Sequence, residues 1–226
     1  GNFRLENPEL IFEPPAHSLS NREVLARQIL SKEKLGEAIY PGEEKAFTFS
    51  MRLLGKEGEA MTAKATLSYQ PKNLKARYES STTFTTSIKS VPLTLEFDLP
   101  TKTESAQDFI FRLNYFSNIN YLLTDLRIQL EYPSDFEFLE SSPKSLDKTE
   151  WDIPVLNKSQ GGRIEISARV SGEVGSAKIF KAKLGIWKKG EFILLKESEA
   201  GLEITEESIY LRQEINGNPK YAALPG

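Results

Sequence analysis

Apolar and polar residues alternate along most of the chain, as they do in strands that bury one face of a sheet. In the first clear example, Phe47, Phe49, Met51 and Leu53 share one face, and polar residues stand between them. The same alternation recurs at residues 93–99, 109–115, 126–132 and 164–170. Turn-forming Pro, Gly and Asn residues separate these segments. The sequence therefore predicts an all-β protein built from antiparallel sheets.

Residues 20–36 are the exception, because they are rich in helix formers. Ser20 could cap a helix, with Glu23 three residues later, and Gly36 could end it. The apolar residues of the segment fit equally well a loop that is followed by a short strand. A short surface helix and a short strand are therefore both open interpretations.

Composition excludes several classes of function. The chain has 226 residues, of which 39% are hydrophobic and 27% charged, enough for one large domain or two of ordinary size. Its formal net charge of -3 lacks the positive excess of a nucleic-acid binder. It has no cysteine, so disulfides, thiol catalysis and cysteine-ligated metals are excluded, and the single histidine, His17, argues against a Ser-His-Asp triad. No apolar run approaches the roughly 20 residues of a membrane span.

The sequence also matches itself at an offset of 117 residues. Residues 50–67 align with residues 167–184 with eight of eighteen positions identical, whereas unrelated segments of average composition would share about one. An offset of 118 extends the match in both directions, so that Leu5 aligns with Leu123 and Ser90 with Ser208. A fixed period of this length indicates repeated structural units.

The repeat predicts an incomplete module at residues 1–89, a complete module at 90–206 and the first strand of a third at 207–226. The first module lacks counterparts of the predicted strands 93–99 and 109–115, which suggests an excerpt of a longer protein. We expect this module to leave a sheet face or edge open, and thus to favour dimerisation or strand donation, for example by residues 208–215 of another copy.

The motifs of the second module follow one another in a recognisable order. They are an amphipathic strand ending at Tyr132-Pro133, then Asp135-Phe136-Glu137-Phe138, Ser142-Pro143, Trp151-Asp152-Ile153 and an alternating strand. This order resembles the immunoglobulin-like conserved repeat of bacterial and archaeal surface proteins. In the first module Tyr40-Pro41-Gly42-Glu43 matches that family's Pro-Gly-Glu turn, but no tryptophan precedes it.

The resemblance implies tandem immunoglobulin-like antiparallel β-sandwiches, the first without its N-terminal strands. In that family such repeats form stalks and adhesive arms of secreted or wall-attached proteins and carry no catalytic residues. Trp151 aligns with the family's core tryptophan, so we expect it to pack between the sheets.

Two aromatic residues are the candidates for ligand contact. Trp187 ends a predicted strand beside lysines and could stack on a sugar ring, although packing on an edge strand is the plainer interpretation. Tyr69 is its counterpart in the first module and has the same two interpretations.

The remaining candidate sites have simpler explanations. His17 follows Pro14-Pro15-Ala16 in a predicted loop and is expected at the surface rather than on a metal. Acidic clusters at 135–140 and 147–152 offer oxygen ligands to calcium, but solvent-facing positions on strands explain them without a metal. The Gly-x-x-Gly segments at 55–58 and 172–175 are interpreted as hairpin turns rather than phosphate-binding loops. We predict no cofactor and no metal.

Repetition itself indicates the function, since an enzyme needs unlike groups that converge on one site. We expect a non-catalytic structural or stalk segment of a prokaryotic surface or secreted protein. It would be extracellular, anchored through a segment outside this sequence and in contact with neighbouring modules of the same protein. The alternative is an adhesin or carbohydrate-binding module that recognises a surface protein or glycan through exposed aromatics or a sheet edge. An enzyme is a third and weaker hypothesis.

Overall fold

The computed structural model describes residues 3–20, 31–188 and 190–206, and these residues form strands and their connections. Among them there is no helix, and so none that is long and apolar enough to cross a membrane. The sixteen strands are β1 (Leu5–Glu13), β2 (Ser18–Ser20), β3 (Ser31–Lys34), β4 (Ala38–Ile39), β5 (Met51–Leu53), β6 (Ala60–Pro71), β7 (Tyr78–Ser87), β8 (Leu93–Asp98), β9 (Lys102–Glu104), β10 (Asp108–Ser117), β11 (Leu123–Glu131), β12 (Phe136–Ser142), β13 (Glu150–Leu156), β14 (Gln160–Val170), β15 (Ala177–Lys188) and β16 (Glu191–Thr205). The predicted all-β class is confirmed for the described residues.

Strands β8–β16, termed the C-terminal half, form two sheets that enclose one hydrophobic core. One sheet has the order β12-β14-β10-β8 and the other the order β13-β11-β15-β16-β9, in which β9 alone runs parallel to its neighbour. Phe111 of β10 and Phe180 of β15 meet between the sheets, with ring centroids 5.3 Å apart. Phe136 of β12 packs edge-on against Phe180 at 5.5 Å. These aromatic contacts cross from one layer to the other and hold them together.

The alternation in the sequence decides which side of each strand faces this core. In β10, Phe111 and Leu113 are fully buried, whereas Ile110 beside them is exposed. The predicted strands at 93–99, 109–115, 126–132 and 164–170 are confirmed as β8, β10, β11 and β14. Trp151 lies inside as expected, and its indole Nε1–H donates a hydrogen bond to the Pro143 carbonyl oxygen at 3.1 Å.

Strands β1–β7, termed the N-terminal half, form one main sheet and a separate short pair. The main sheet has the order β3-β1-β6-β7, and β4 pairs with the other end of β1. The separate pair consists of β2 and β5, each three residues long. The second sheet of this half thus has only six strand residues among those described.

The main sheets of the two halves have matching strand lengths and register. Strands β1 and β11 both span nine residues and begin 118 positions apart, while β6 and β15 both span twelve and begin 117 apart. Leu10 pairs with Leu67 in the first sheet, and the residues at those offsets, Ile128 and Leu184, pair in the second. The register of β2 with β5 likewise matches that of the corresponding ends of β12 and β14.

The two halves differ in their second layer. Among the described residues of the N-terminal half, no strand corresponds to β8 or β10, which complete this layer in the C-terminal half. As a result, Leu35, Leu54 and Met61 are the only buried hydrophobic residues in the described part of the chain before residue 90. The N-terminal half therefore has very little closed core.

The predicted strand at 47–53 is shorter in the structure, where only Met51–Leu53 forms β5. In the C-terminal half the matching residues 164–167 pair with β10 along their whole length. Residues 47–50 have the same apolar alternation, but among the described residues they have no neighbouring strand to complete a ladder. Phe49 nevertheless points inward, as the alternation predicts, and its ring stacks on that of Phe12 with centroids 4.2 Å apart.

The helical interpretation of residues 20–36 is wrong where the structure describes them. Ser31–Lys34 form β3, which pairs with β1, and Leu35 behind it is buried. Pairing with β1 thus overrides a weak helix propensity, as tertiary contacts commonly do. Residues 21–30 lie outside the described residues, and so does the predicted opening strand of a third module at 207–226.

The two Gly-x-x-Gly segments are not hairpin turns, because each connects strands of different sheets. One joins β5 to β6 and the other joins β14 to β15. Gly58 and Gly175 have φ angles of +83° and +81°, a conformation that favours glycine. Their N–H groups donate to the carbonyl oxygens of Ile88 and Ile204 at 2.9 and 2.7 Å. The two connections therefore share the same glycine conformation and the same kind of backbone hydrogen bond.

The outer faces of the C-terminal half are held by ion pairs between neighbouring strands. Arg112 lies 2.9 Å from Glu165 and 3.6 Å from Asp98, and Arg169 lies 2.7 Å from Asp108 and 3.1 Å from Glu137. Exposed pairs of this kind contribute little to stability, because water screens their charges. They make the outer surface polar while the strand register is set by the core.

Truncating Phe111 tests the central role of the aromatic contacts. We expect Phe111→Ala to lower the free energy of unfolding by about 3–5 kcal/mol, since it removes a fully buried ring and leaves a cavity. Phe84→Ala, at a ring that is 69% exposed on β7, should change it by less than about 0.5 kcal/mol. Urea denaturation of both variants measures the difference, and equal midpoints would contradict this role of Phe111 in the core.

Burial raises the pKa of the Tyr132 phenol, whose O–H donates to the Lys148 carbonyl oxygen at 2.7 Å. The folded state thus favours neutral Tyr132, and this stabilisation is complete below about pH 10 and lost as the pH rises above it. We expect Tyr132→Phe to be less stable at pH 8, but to lose less stability than the wild type between pH 9 and 11. Unfolding curves at several pH values measure this slope, with exposed Tyr78→Phe as the control. Parallel slopes for the wild type and Tyr132→Phe would show that Tyr132 is not responsible.

Candidate functional site

The apolar face of the N-terminal main sheet forms an open groove of about 620 Å³. Strands β1 and β6 provide its floor through Leu5, Leu10, Leu67 and Tyr69. The walls and the remaining floor are Phe3, Leu35, Ile39, Tyr40, Glu43, Lys45, Phe47, Pro71 and Ser80. This concave surface is thus mostly apolar and is shaped largely by the face of a sheet.

The floor positions of this groove are core positions in the C-terminal half. Leu123, Ile128, Leu184 and Ile186 stand at the matching offsets of 118 and 117, and all four are buried in the core cluster. That cluster also contains side chains of β8 and β10, the two strands without counterparts among the described residues of the N-terminal half. The groove therefore occupies the place where a second layer of sheet would lie.

One wall of the groove carries a small polar network. The Lys45 ammonium donates to the Leu35 carbonyl oxygen at 2.6 Å and lies 3.6 Å from the Glu43 carboxylate. The Tyr40 backbone N–H donates to Glu43 at 2.9 Å. This backbone hydrogen bond and then the charge of Lys45 lower the pKa of Glu43. The wall is thus hydrogen-bonded and balanced in charge, so the groove has no strong preference for an anion or a cation.

A free backbone edge borders the same groove. Strand β5 pairs with β2 on one side, and its other side has no partner among the described residues. Residues 47–50 lead into β5, and of residues 47–53 it is Phe47, 40% exposed, that lines the groove. Unpaired N–H and C=O groups beside an uncovered apolar face can accept an added strand.

Tyr69, one of the two predicted contact residues, lies in this groove. Its ring stacks on Tyr78, its cross-strand neighbour on β7, with centroids 6.3 Å apart. Tyr69 is half-buried, so one part of its surface supports the groove floor. The structure places it beside the apolar residues named above and not near Trp187.

Trp187, the other predicted contact residue, lies near the end of β15, which is an inner strand and not an edge strand. The Arg127 guanidinium covers one face of its ring, 4.6 Å from the ring centroid, and Phe192 lies 6.5 Å away on β16. Arg127 is in turn bound by Glu150 and Asp152, both at 2.9 Å. No sequence pattern signals this stack, because its residues come from strands whose pairing the local sequence does not specify.

The other candidate residues lie in structural contacts. His17 is within 3.0 Å of Glu191 through Nε2. In the acidic clusters, Asp135 pairs with Lys178, and Asp147 accepts hydrogen bonds from Thr149 that lower its pKa. Among the described residues, no group of three or more acidic or histidine side chains is arranged to hold a metal ion.

The contact between the two halves is a site that the sequence patterns did not predict. Leu54, only 2% exposed, follows β5 but belongs to the core cluster of the C-terminal half. Arg52 lies over the Tyr121 ring at 4.4 Å, and Lys56 lies 3.3 Å from Glu197. The sequence does contain a signal for this contact, the adjacent apolar residues Leu53 and Leu54. Successive residues of a strand point to opposite faces, so two adjacent apolar side chains indicate an apolar contact on each side of the chain.

Comparison with known proteins adds little to this geometry. No family model and no curated protein matches the chain. A structure of AvmM, which catalyses macrocyclization in alchivemycin A biosynthesis, is 11% identical with a TM-score of 0.40, covering 53% of this chain and 92% of that one. A mutant of Salmonella alpha-2-macroglobulin is 10% identical with a TM-score of 0.41, covering 89% of this chain and 14% of that one. Similarities this low carry no argument about function.

Proposed function

We propose that the chain is a non-catalytic structural segment, a stalk or arm, of a prokaryotic cell-surface or secreted protein built from tandem immunoglobulin-like units. The observation that carries the proposal is the matching register of the two main sheets, which repeats at offsets of 118 and 117 residues. A repeated scaffold preserves core and turn positions, whereas a catalytic site requires a unique set of unlike groups. In this proposal residues 1–89, 90–206 and 207–226 belong to successive units.

The connection between the halves supports a semi-rigid arm. Ile88 is bonded to the N-terminal half, because its N–H donates to Glu59 and its carbonyl oxygen accepts from Gly58, at 3.0 and 2.9 Å. Four residues later, the Pro92 carbonyl oxygen accepts the Asn118 N–H at 2.9 Å. The linker is thus fixed at both ends, and the insertion of Leu54 into the neighbouring core adds an apolar contact.

The location and the partners of such an arm follow from the same proposal. Neighbouring units of the parent protein would be its first partners, and the resemblance to repeats of surface proteins is what favours an extracellular location. The cross-strand ion pairs make the outer faces polar, which suits a surface in contact with water. Salt screens most of their energy, so polarity and not stability is their contribution. Attachment to the cell would come from a segment outside this sequence.

A distance measurement between the halves tests this function. Because the chain has no cysteine, Thr83→Cys and Val174→Cys introduce unique labelling sites, one in each half. Double electron–electron resonance should give one narrow distance distribution for the labelled chain. Leu54→Ser should broaden it at least about twofold, since this substitution removes the apolar contact between the halves. Leu74→Ser, at a leucine that is 48% exposed, is the matched control and should leave the width unchanged. A broad distribution without Leu54→Ser would contradict a semi-rigid arm.

A second candidate function is recognition of a glycan or surface protein, favoured by the position of Tyr69 in the open groove. If a glycan stacks on Trp187, Trp187→Ala should abolish binding on a glycan array while Tyr69→Ala leaves it unchanged. If the groove is the binding site, the two variants should show the opposite result. Phe84→Ala, at an exposed ring of the same sheet outside the groove, controls for a general loss of structure. No binding by the unsubstituted chain would reject the recognition hypothesis and leave the structural one standing.

A further inference from the structure

We propose that Asn157 carries an N-linked glycan. Asn157, Lys158 and Ser159 form the pattern Asn-x-Ser with a residue other than proline in the middle, which is the acceptor pattern for sugars attached to asparagine. No other asparagine of the sequence is followed two positions later by Ser or Thr. The proposal rests on the extracellular location proposed above, because this modification is made on exported proteins. A three-residue pattern also arises by chance, so its place in the fold is decisive.

The acceptor pattern lies in a hydrogen-bonded turn at residues 157–160, which connects β13 in one sheet with β14 in the other. The Gln160 backbone N–H donates to the Asn157 carbonyl oxygen at 3.2 Å, and the Asn157 backbone N–H donates to the Gln160 side-chain oxygen at 3.0 Å. The Ser159 N–H donates to the Ser117 carbonyl oxygen at 2.7 Å. Backbone groups and the Gln160 side chain therefore hold this turn.

The two side chains of the acceptor pattern take no part in holding the turn. Asn157 and Ser159 are both exposed. Neither the Asn157 amide nor the Ser159 hydroxyl has a hydrogen-bond partner among the described residues. Both groups are thus accessible to an enzyme on the folded chain.

The N-terminal half contains the same turn without the acceptor pattern. Tyr40, Pro41, Gly42 and Glu43 stand 117 positions before residues 157–160. Here the Glu43 N–H donates to the Tyr40 carbonyl oxygen at 3.0 Å, and the Tyr40 N–H donates to the Glu43 carboxylate at 2.9 Å. The two turns share this pair of hydrogen bonds, so Asn-x-Ser is not needed to form the turn.

The third residue of each turn has a left-handed backbone conformation, with φ of +81° at Gly42 and +60° at Ser159. Glycine adopts this conformation without steric cost, whereas the Cβ of serine makes it unfavourable. The Ser159 hydroxyl does not offset this cost by a hydrogen bond to any described residue. A requirement for a hydroxyl at this position explains the choice of serine, since strained residues concentrate at functional sites.

The modification is a glycosyl transfer to the Asn157 side chain. Its nitrogen Nδ2 forms a bond to the anomeric carbon of an oligosaccharide that is carried on a polyprenyl phosphate or diphosphate. The bond between that carbon and the phosphate oxygen breaks, and the lipid phosphate leaves with the electron pair. One amide proton passes to a carboxylate of the transferase or to water, and no oxidant or reductant is consumed. Ser159 supplies the hydroxyl that the acceptor pattern requires.

The turn lies at the end of the C-terminal half that faces the N-terminal half. Leu156, immediately before the turn, pairs with Leu123 of β11. Leu123 and Leu54 line the same small cavity at the junction. A glycan on Asn157 would therefore place a bulky, hydrated group beside the joint without changing either core.

Mass spectrometry of the parent protein from the cells that make it tests the proposal. The peptide that contains Asn157 should carry an oligosaccharide, and fragmentation should locate the sugar on this residue. An unmodified Asn157 in protein recovered from the cell surface or the medium would overturn the proposal and leave the structural role standing. Protein found only inside the cells would contradict the extracellular location itself. The distance test of the structural role uses labels at Thr83 and Val174, so its outcome is independent of the turn.

Transfer to the folded chain in vitro tests the role of each residue, with a polyprenyl-linked oligosaccharide as donor and a single-subunit oligosaccharyltransferase. The wild type should gain one oligosaccharide, and Asn157→Gln and Ser159→Gly should each abolish the modification. Ser159→Thr, which keeps the hydroxyl, should still be modified. Asn118→Gln, at an exposed asparagine outside the acceptor pattern, is the matched control and should be modified like the wild type.

The stability of Ser159→Gly separates loss of the acceptor from loss of structure. Because glycine is favoured at this φ angle, the urea midpoint of Ser159→Gly should be at least that of the wild type. Modification of Ser159→Gly at the wild-type rate would overturn the proposal. A folded wild-type chain that stays unmodified would overturn it as well, provided that the same enzyme modifies a standard Asn-x-Thr peptide.

Discussion

The structure depends on one constraint, which is that the apolar face of a β-sheet must be covered by a second layer. In the C-terminal half, β8, β10, β12 and β14 provide that layer, and Phe111 and Phe180 join it to the main sheet. In the N-terminal half, a main sheet of matching register is accompanied only by the short β2–β5 sheet among the described residues. The same pattern of side chains therefore produces a closed core in one place and an open groove in the other, since the outcome depends on the covering strands.

This dependence also explains which parts of the fold could be predicted from the sequence. Alternation predicted β8, β10, β11 and β14 because these strands have neighbours that complete their ladders. The same alternation failed at residues 47–50, since a strand also requires a partner that the local sequence does not specify. The Gly-x-x-Gly segments show the same limit, because whether a turn returns to its own sheet or crosses to another is decided by the layers around it.

The candidate site was only partly predictable for a related reason. Self-alignment singled out Tyr69, and the absence of counterparts for two strands predicted an open face. The contact of the Arg127 guanidinium with the Trp187 ring depends on the register of β11 with β15, which only the folded chain shows. The junction is similar, since Leu54 resembles any other strand residue until its position against the neighbouring core is known.

For the arm of tandem units that we propose, Leu54 has a consequence. The position that matches it in the C-terminal half, 117 residues later, is Ser171, a small polar residue. A successor docked at that end in the same manner would meet a hydroxyl in place of an isobutyl group, and the joint would gain little from excluding water. Successive joints of one arm would then differ in stiffness, with bending concentrated at those that lack an anchor. Flexibility along the arm could thus be encoded by one residue per unit, independently of the sheets themselves.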